Sequence, residues 1–159
     1  MFKNQSIKAK QIVIAALTLL AMINCAKDQN AFVPYVPVNI YINLAANNHL
    51  TIPGNSYTDM TKGYAGIIVV CISTDPPQYY AFDACCPYET LPTCPVNTVT
   101  IKALSTAAVI FSTESSGTCK CCGSIYSLWS GAPTKGPSLH YLQLYQVQLL
   151  SGNLLWVHN

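Results

Sequence analysis

Apolar and polar residues alternate strictly between positions 38 and 44. Val38, Ile40, Ile42 and Leu44 fall on one parity, and Asn39, Tyr41 and Asn43 on the other. Successive side chains of a strand point to opposite faces, so this stretch predicts a strand with one buried face. Asn47-Asn48-His49 and Pro53-Gly54-Asn55 are turn signals on either side of Leu50-Thr51-Ile52. Lys62-Gly63-Tyr64-Ala65-Gly66 predicts a hairpin turn, and residues 67–72 form a continuous apolar strand containing Cys71. Asp75-Pro76-Pro77 is a further turn, followed by a strand over 78–82.

Residues 83–95 form a first cysteine-bearing loop. Strands are expected at 96–101 and 107–111, with 112–117 as a polar turn leading into a second cysteine-bearing loop. A strand over 125–129, a Gly/Pro-rich loop over 130–137, a strand over 141–149, a turn at Ser151-Gly152-Asn153 and a last strand over 154–157 complete the chain. Many short strands with no convincing helix after residue 25 predict an all-β domain. A small antiparallel barrel or sandwich carrying two cysteine loops is the expected form. Trp129, Phe111 and Trp156 are expected in its core.

The start of the chain follows a different pattern. Positive charge in residues 1–10 precedes a short apolar run over 12–23, the layout of a secretory signal peptide. That run is too short to cross a bilayer, which takes about 20 residues. It stops at Asn24-Cys25, and the next residues are abruptly polar. The placement resembles a bacterial lipobox with Cys25 as the acylated residue. The expected organisation is a signal peptide over 1–24, a lipid-anchored tether over 25–35 and a folded domain over 36–159. The acyl chains would hold Cys25 on a lipid membrane. The domain would then belong to the bacterial cell envelope, facing the periplasm or the exterior.

Removing that segment changes the charge. The whole chain has a formal net charge of +2, but Lys3, Lys8 and Lys10 lie in the leader. From residue 25 onward five lysines oppose six acids, a net of −1, and there is no arginine. No basic patch remains for a polyanion, so nucleic-acid binding is excluded as a reading. A hydrophobic fraction of 51 % rules out a disordered chain.

Eight cysteines occur, all at or after position 25. Setting Cys25 aside leaves Cys71, Cys85, Cys86, Cys94, Cys119, Cys121 and Cys122, an odd number. At least one is therefore free, a ligand, or paired between chains. Cys71, inside an apolar strand, is expected to be a buried free thiol, with a bond to Cys85 as the rival. The first loop reads Ala81-Phe82-Asp83-Ala84-Cys85-Cys86-Pro87-Tyr88, and the second Cys119-Lys120-Cys121-Cys122-Gly123-Ser124-Ile125-Tyr126. Gly136-Pro137-Ser138 and Leu142-Gln143-Leu144-Tyr145 follow downstream.

This order resembles the Rieske-fold proteins, and more narrowly the divergent Rieske-like lipoproteins of Bacteroidetes-type bacteria, over roughly residues 36–158. The resemblance implies that Cys86 and Cys119 stand where two thiolates hold the buried iron of a 2Fe–2S cluster. Tyr88 and Cys122 stand where that family has two histidines, so both histidines are replaced. Ser124 and Tyr126 match residues that hydrogen-bond the cluster and a ligand sulfur. Cys121 matches a disulfide cysteine of the second loop, with Cys94 as its nearest partner.

Two imidazoles on one iron set the high potential of a Rieske centre. His49, His140 and His158 all lie outside both loops, so they do not supply them. Three chemistries remain. One is a low-potential 2Fe–2S cluster of altered ligation, using Cys86, Cys119 and Cys122 with Tyr88 or Cys85. The second is a zinc site on the same thiolates. The third is a metal-free domain stapled by disulfides, with Cys94–Cys121 as one bond and Cys86 with Cys119 or Cys122 as another. The first implies electron transfer with a redox partner protein, and the third a non-catalytic structural or interaction module. No separate catalytic domain, two-histidine-one-carboxylate set or Ser-His-Asp arrangement points to an enzyme. A thiol–disulfide exchanger would want a helix N-terminus or a βαβ context at the cysteines, and neither is predicted.

Overall fold

The computed structural model describes residues 33–100 and 115–159. The segments expected as signal peptide and, for the most part, tether, with Cys25, and the strand expected at 107–111 with Phe111 lie outside the described residues. Ten strands are described: β1 (Asn39–Asn43), β2 (Ser56–Asp59), β3 (Ile67–Thr74), β4 (Pro77–Asp83), β5 (Val96–Thr100), β6 (Ser115–Cys119), β7 (Ile125–Ser127), β8 (Pro133–Lys135), β9 (Leu144–Leu150) and β10 (Leu154–His158). A single 3-10 turn at Asn48–Thr51 is the only helical element among the described residues. All pairings are antiparallel. One sheet runs β1-β10-β9-β4-β3-β2, and the other β5-β6-β7-β8. The fold is all-β, built on two antiparallel sheets.

The alternation in β1 does what it predicts. Val38, Ile42 and Leu44 are buried, and Asn39, Tyr41 and Asn43 are exposed. β3 breaks the alternation for a reason that its neighbours supply. Ile68 and Val70 pack with Phe82, Tyr126, Leu128 and Leu142 on one face. Ile67 and Val69 pack with Val38, Tyr145, Leu155 and Val157 on the other. A strand covered on both faces reads as an unbroken apolar run, and each such side chain contributes about 1.5–3 kcal/mol on burial. The hairpin turn over 62–66 joins β2 to β3, with Gly63 and Gly66 at positive φ. A cis Asp75–Pro76 bond lies in the β3–β4 turn. Asn159 clasps the segment leading into β1: its side chain accepts from the Val38 N–H at 3.0 Å and donates to the Val36 carbonyl at 2.8 Å.

Several elements differ from the pattern-based expectation. The segment read as a polar turn before the second loop is strand β6 from Ser115 on; its small side chains carry no apolar stripe, yet Ser115 and Gly117 face inward. Gly117 has no room for a side chain, since a Cβ there would meet Val96 Cγ1. β8 lies inside the Gly/Pro-rich loop at a sheet edge, a place where proline is tolerated. β7 stops at Ser127, because Ser127 oxygen accepts the Gly131 N–H and turns the chain. β9 begins at Leu144, three residues later than the apolar pattern suggests. Trp129 and Trp156 are only half-buried, not core residues. Trp156 lies on the solvent face, stacked on His158 with ring centroids 4.0 Å apart and donating to Asn39.

Candidate metal centre

The two cysteine loops leave different sheets and meet. The first continues from β4 and the second from β6. Their inner residues Ala84, Cys86, Cys94, Val96, Cys119, Tyr126 and Leu128 share one core.

One carboxylate organises the first loop. Asp83 is fully buried and accepts four hydrogen bonds: Tyr64 N–H at 2.7 Å, Ala65 N–H at 3.2 Å, Cys85 N–H at 2.7 Å and Tyr145 O–H at 2.7 Å. A buried carboxylate without donors would be costly, and these four make it tolerable. The Ala84 N–H donates to Gly66 and its carbonyl accepts from Val96. The Cys86 carbonyl accepts from Glu89 and Thr90, which closes the Pro87-Tyr88 turn with Thr90 at φ 53°.

Backbone and a covalent bond organise the second loop. Cys119 N–H donates to the Ser124 carbonyl at 2.8 Å, and Gly123 N–H to the Cys119 carbonyl at 3.1 Å. Gly123 has φ +71° and open space where a Cβ would be, so conformation alone calls for glycine there. Gly136 has the opposite reason. A Cβ at Gly136 would lie 2.5 Å from Ser124 Cα, because the loop after β8 presses directly on Ser124. Cys121 is joined to Cys94 by a disulfide with Cα atoms 5.4 Å apart.

Cys86, Cys119 and Cys122 bring their sulfurs within 4.8 Å of one another, and the Cys86 and Cys122 sulfurs lie 3.6 Å apart. The second bond expected from Cys86 to Cys119 or Cys122 is therefore absent: all three are free thiols, as are Cys71 and Cys85. Sulfurs at 3.6 Å are in van der Waals contact, well beyond a bond of about 2.05 Å. Cys71 and Cys85 are buried apart from the cluster, and Cys85 Sγ sits 3.7 Å from the Cys86 carbonyl.

Hydroxyls back two of the three sulfurs. Tyr126 O–H lies 3.2 Å from Cys86 Sγ, and Ser124 Oγ lies 3.1 Å from Cys122 Sγ. Ser124 Oγ also accepts the Ser138 N–H, which fixes the hydroxyl oxygen beside the sulfur. Burial, then the hydrogen bond to Cys86, pushes the Tyr126 phenol well up, so it keeps its proton. Burial pushes Cys119 up to about 12 against the N–H groups of Cys122 and Cys121. Burial also acts to raise Cys122, but hydrogen bonds from Ser124 and from the Cys119 and Cys86 thiols outweigh it and hold Cys122 below the ordinary thiol range. Burial, with the nearby Asp83 charge, pushes Cys85 up to about 12.

Tyr88 is partly buried against the same core. His49 is exposed, while His140 and His158 are half-buried, and none joins the sulfur group. Lys120 is exposed, and its N–H donates to the Pro95 carbonyl. An all-cysteine two-iron cluster takes four thiolates. Among the described residues three sulfurs converge, one fewer than that set. The donors present do not fit a cluster held by cysteine alone.

Asp83, Gly136 and Ser138 stand within the motifs quoted from the sequence, but the sequence assigns them no role of their own. Asp83 carried one signal: a lone acid closing an apolar strand, one residue ahead of a cysteine pair.

No protein-family model matches the chain, and no curated protein matches it in sequence. Among solved structures, the chain is similar to one in the complex of reduced oxygenase and oxidized ferredoxin in carbazole 1,9a-dioxygenase. That match has 19 % identity and a TM-score of 0.45 over 76 % of this chain and 93 % of the other. A second is a chain assigned as the small subunit of an NADH-dependent nitrite reductase from Mycobacterium tuberculosis, at 13 % identity and a TM-score of 0.41 over 79 % and 97 %. Neither value carries a functional conclusion, which has to come from this chain's own side chains.

Proposed function

We propose that the chain is a Rieske-like, non-catalytic module of the bacterial cell envelope, in which the two loops are joined by a disulfide and hold no cluster. The observation that carries this reading is a sulfur set one donor short of the four that an all-cysteine cluster takes; the Cys94–Cys121 bond then ties the loops by itself. A bond closing 27 residues stabilises a small domain by roughly 3 kcal/mol. An oxidising compartment, as the leader and Cys25 imply, is where such a bond persists. Anchoring is by acylated Cys25 in the membrane, with the domain facing the periplasm or the exterior. Among the described residues no helix is long and apolar enough to cross a membrane.

A second reading is electron transfer to a partner protein through a 2Fe–2S cluster of altered ligation, with Tyr88 beside Cys86, Cys119 and Cys122. One observation favours it: Tyr126 and Ser124 both direct hydroxyls at the sulfurs, as tuning groups would.

Analysis of iron and acid-labile sulfide separates the two. The full chain is purified without oxygen and its thiols are counted by alkylation and peptide mapping. The stapled module yields neither iron nor sulfide, and the Cys94–Cys121 peptide is the disulfide-linked species. Stoichiometric iron and sulfide with a visible spectrum would refute it in favour of the second reading.

A further inference from the structure

We propose that Cys86, Cys119 and Cys122 form a site for a single thiophilic ion, monovalent copper, held by three sulfurs. The inference goes beyond the stapled-module reading and rests on it, since a cluster would consume the same thiols.

Geometry comes first. A metal–sulfur distance of about 2.3 Å, as in zinc thiolates, sets sulfurs about 4.0 Å apart around a trigonal ion. The observed sulfurs, one pair at 3.6 Å and none more than 4.8 Å apart, leave room for that spacing. A two-iron cluster needs donors in two separated pairs, whereas one compact group of three matches one ion. Chemistry then narrows the ion. The group contains no imidazole or carboxylate, and thiolates select monovalent copper or zinc over hard cations. Zinc on three protein ligands needs a water as its fourth, whereas three sulfurs alone complete a trigonal monovalent ion at this largely buried position.

The surroundings suit a bound ion. Cys86 and Cys119 are buried, and half-buried Cys122 supplies the route in. Tyr126 and Ser124 orient two of the sulfurs from behind, as supporting groups do at metal sites. Cys121 lies between Cys119 and Cys122 in sequence, so its bond to Cys94 holds both ligands of the second loop against Cys86.

The test is an oxygen-free titration of the full chain, disulfide intact, with copper(I) against a chromophoric competing chelator. Wild type should take up one tight equivalent that Cys122→Ala removes. The loss should exceed about 100-fold, the upper end of what removing a group behind a ligand costs. Cys122→Ser, which keeps a hydroxyl at this half-exposed position, guards against a folding defect and should lose copper equally. Ser124→Ala should weaken binding by roughly 10-fold. X-ray absorption should show three sulfurs on copper. No tight uptake by wild-type chain lacking iron and sulfide overturns the inference and leaves the stapled module standing. Uptake unchanged in Cys122→Ala and Cys122→Ser overturns it too, placing copper elsewhere. Zinc outcompeting copper(I), with a four-coordinate spectrum after cobalt substitution, overturns the choice of ion. Iron with sulfide in the isolated chain overturns the stapled module and this inference together, by a signal separate from the titration.

Discussion

The two cysteine loops reach the same point by different means. The first, after β4, hangs on a buried carboxylate that gathers four donors from three separate segments. The second, after β6, relies on its own backbone bonds, a glycine at positive φ and one disulfide. One loop is positioned by the rest of the domain, and the other mostly by itself and its staple. The first should therefore fail together with the fold, and the second should loosen by itself.

The strongest way to break this contrast is Asp83→Ala. Four donors would lose their acceptor, each costing about 1–3 kcal/mol when buried, so a loss of at least about 4 kcal/mol is expected in urea unfolding. A smaller loss than that of the staple variant would reverse the contrast. Next comes Cys94→Ala with Cys121→Ala. Its expected cost is about 3 kcal/mol, with faster hydrogen exchange at residues 119–124 and beside Cys94, and little change at Tyr64, Ala65 and Cys85.

Tyr145→Phe removes one donor to Asp83 and should cost about 1.5–3 kcal/mol. It also carries a pH signature. Burial, then the hydrogen bond to Asp83, raises the folded phenol above its ordinary value. Stability from this group is thus complete below about pH 10, where the unfolded phenol titrates, and is lost as pH rises further. The variant should flatten that alkaline limb in a series of unfolding curves. Ser124→Ala is the mildest, at about 1 kcal/mol. Its sharper readout is chemical: the Cys122 thiol should move up toward the ordinary range, seen as a shifted pH profile of alkylation.

Legibility followed the kind of force involved. β1 and β3 showed in the sequence because burial writes itself as alternation or as a continuous apolar run. β6 and β8 did not, because Ser115, Gly117 and Pro133 are there to fit against neighbours, and a close fit leaves no periodic trace. The fold class was readable from strand spacing alone. The meeting of Cys86 with Cys119 and Cys122 came from resemblance to a two-loop family, since nothing local ties residue 86 to residue 122. That resemblance alone named Cys94 and Cys121 as partners, and the two are bonded. The anchoring role of Asp83 depended on Tyr64 and Tyr145, which lie 19 and 62 residues away in sequence, so no short motif could announce it. Trp156 misled because a large aromatic is ordinarily a core residue, whereas here it lies flat on an outer face beside Tyr41.

The Asn159 clasp has a mechanical consequence. β1 is an edge strand whose Asn39 pairs with His158, so Val36 and Val38 sit beside the first rung of the ladder. Tension entering at residue 33 would meet the Asn159 amide and then peel β1 from β10 rung by rung, a weak arrangement compared with loading all rungs in shear. Two strands, β10 and β9, separate β1 from β4. A domain tugged from that side would give up its edge first and keep its sulfur loops intact.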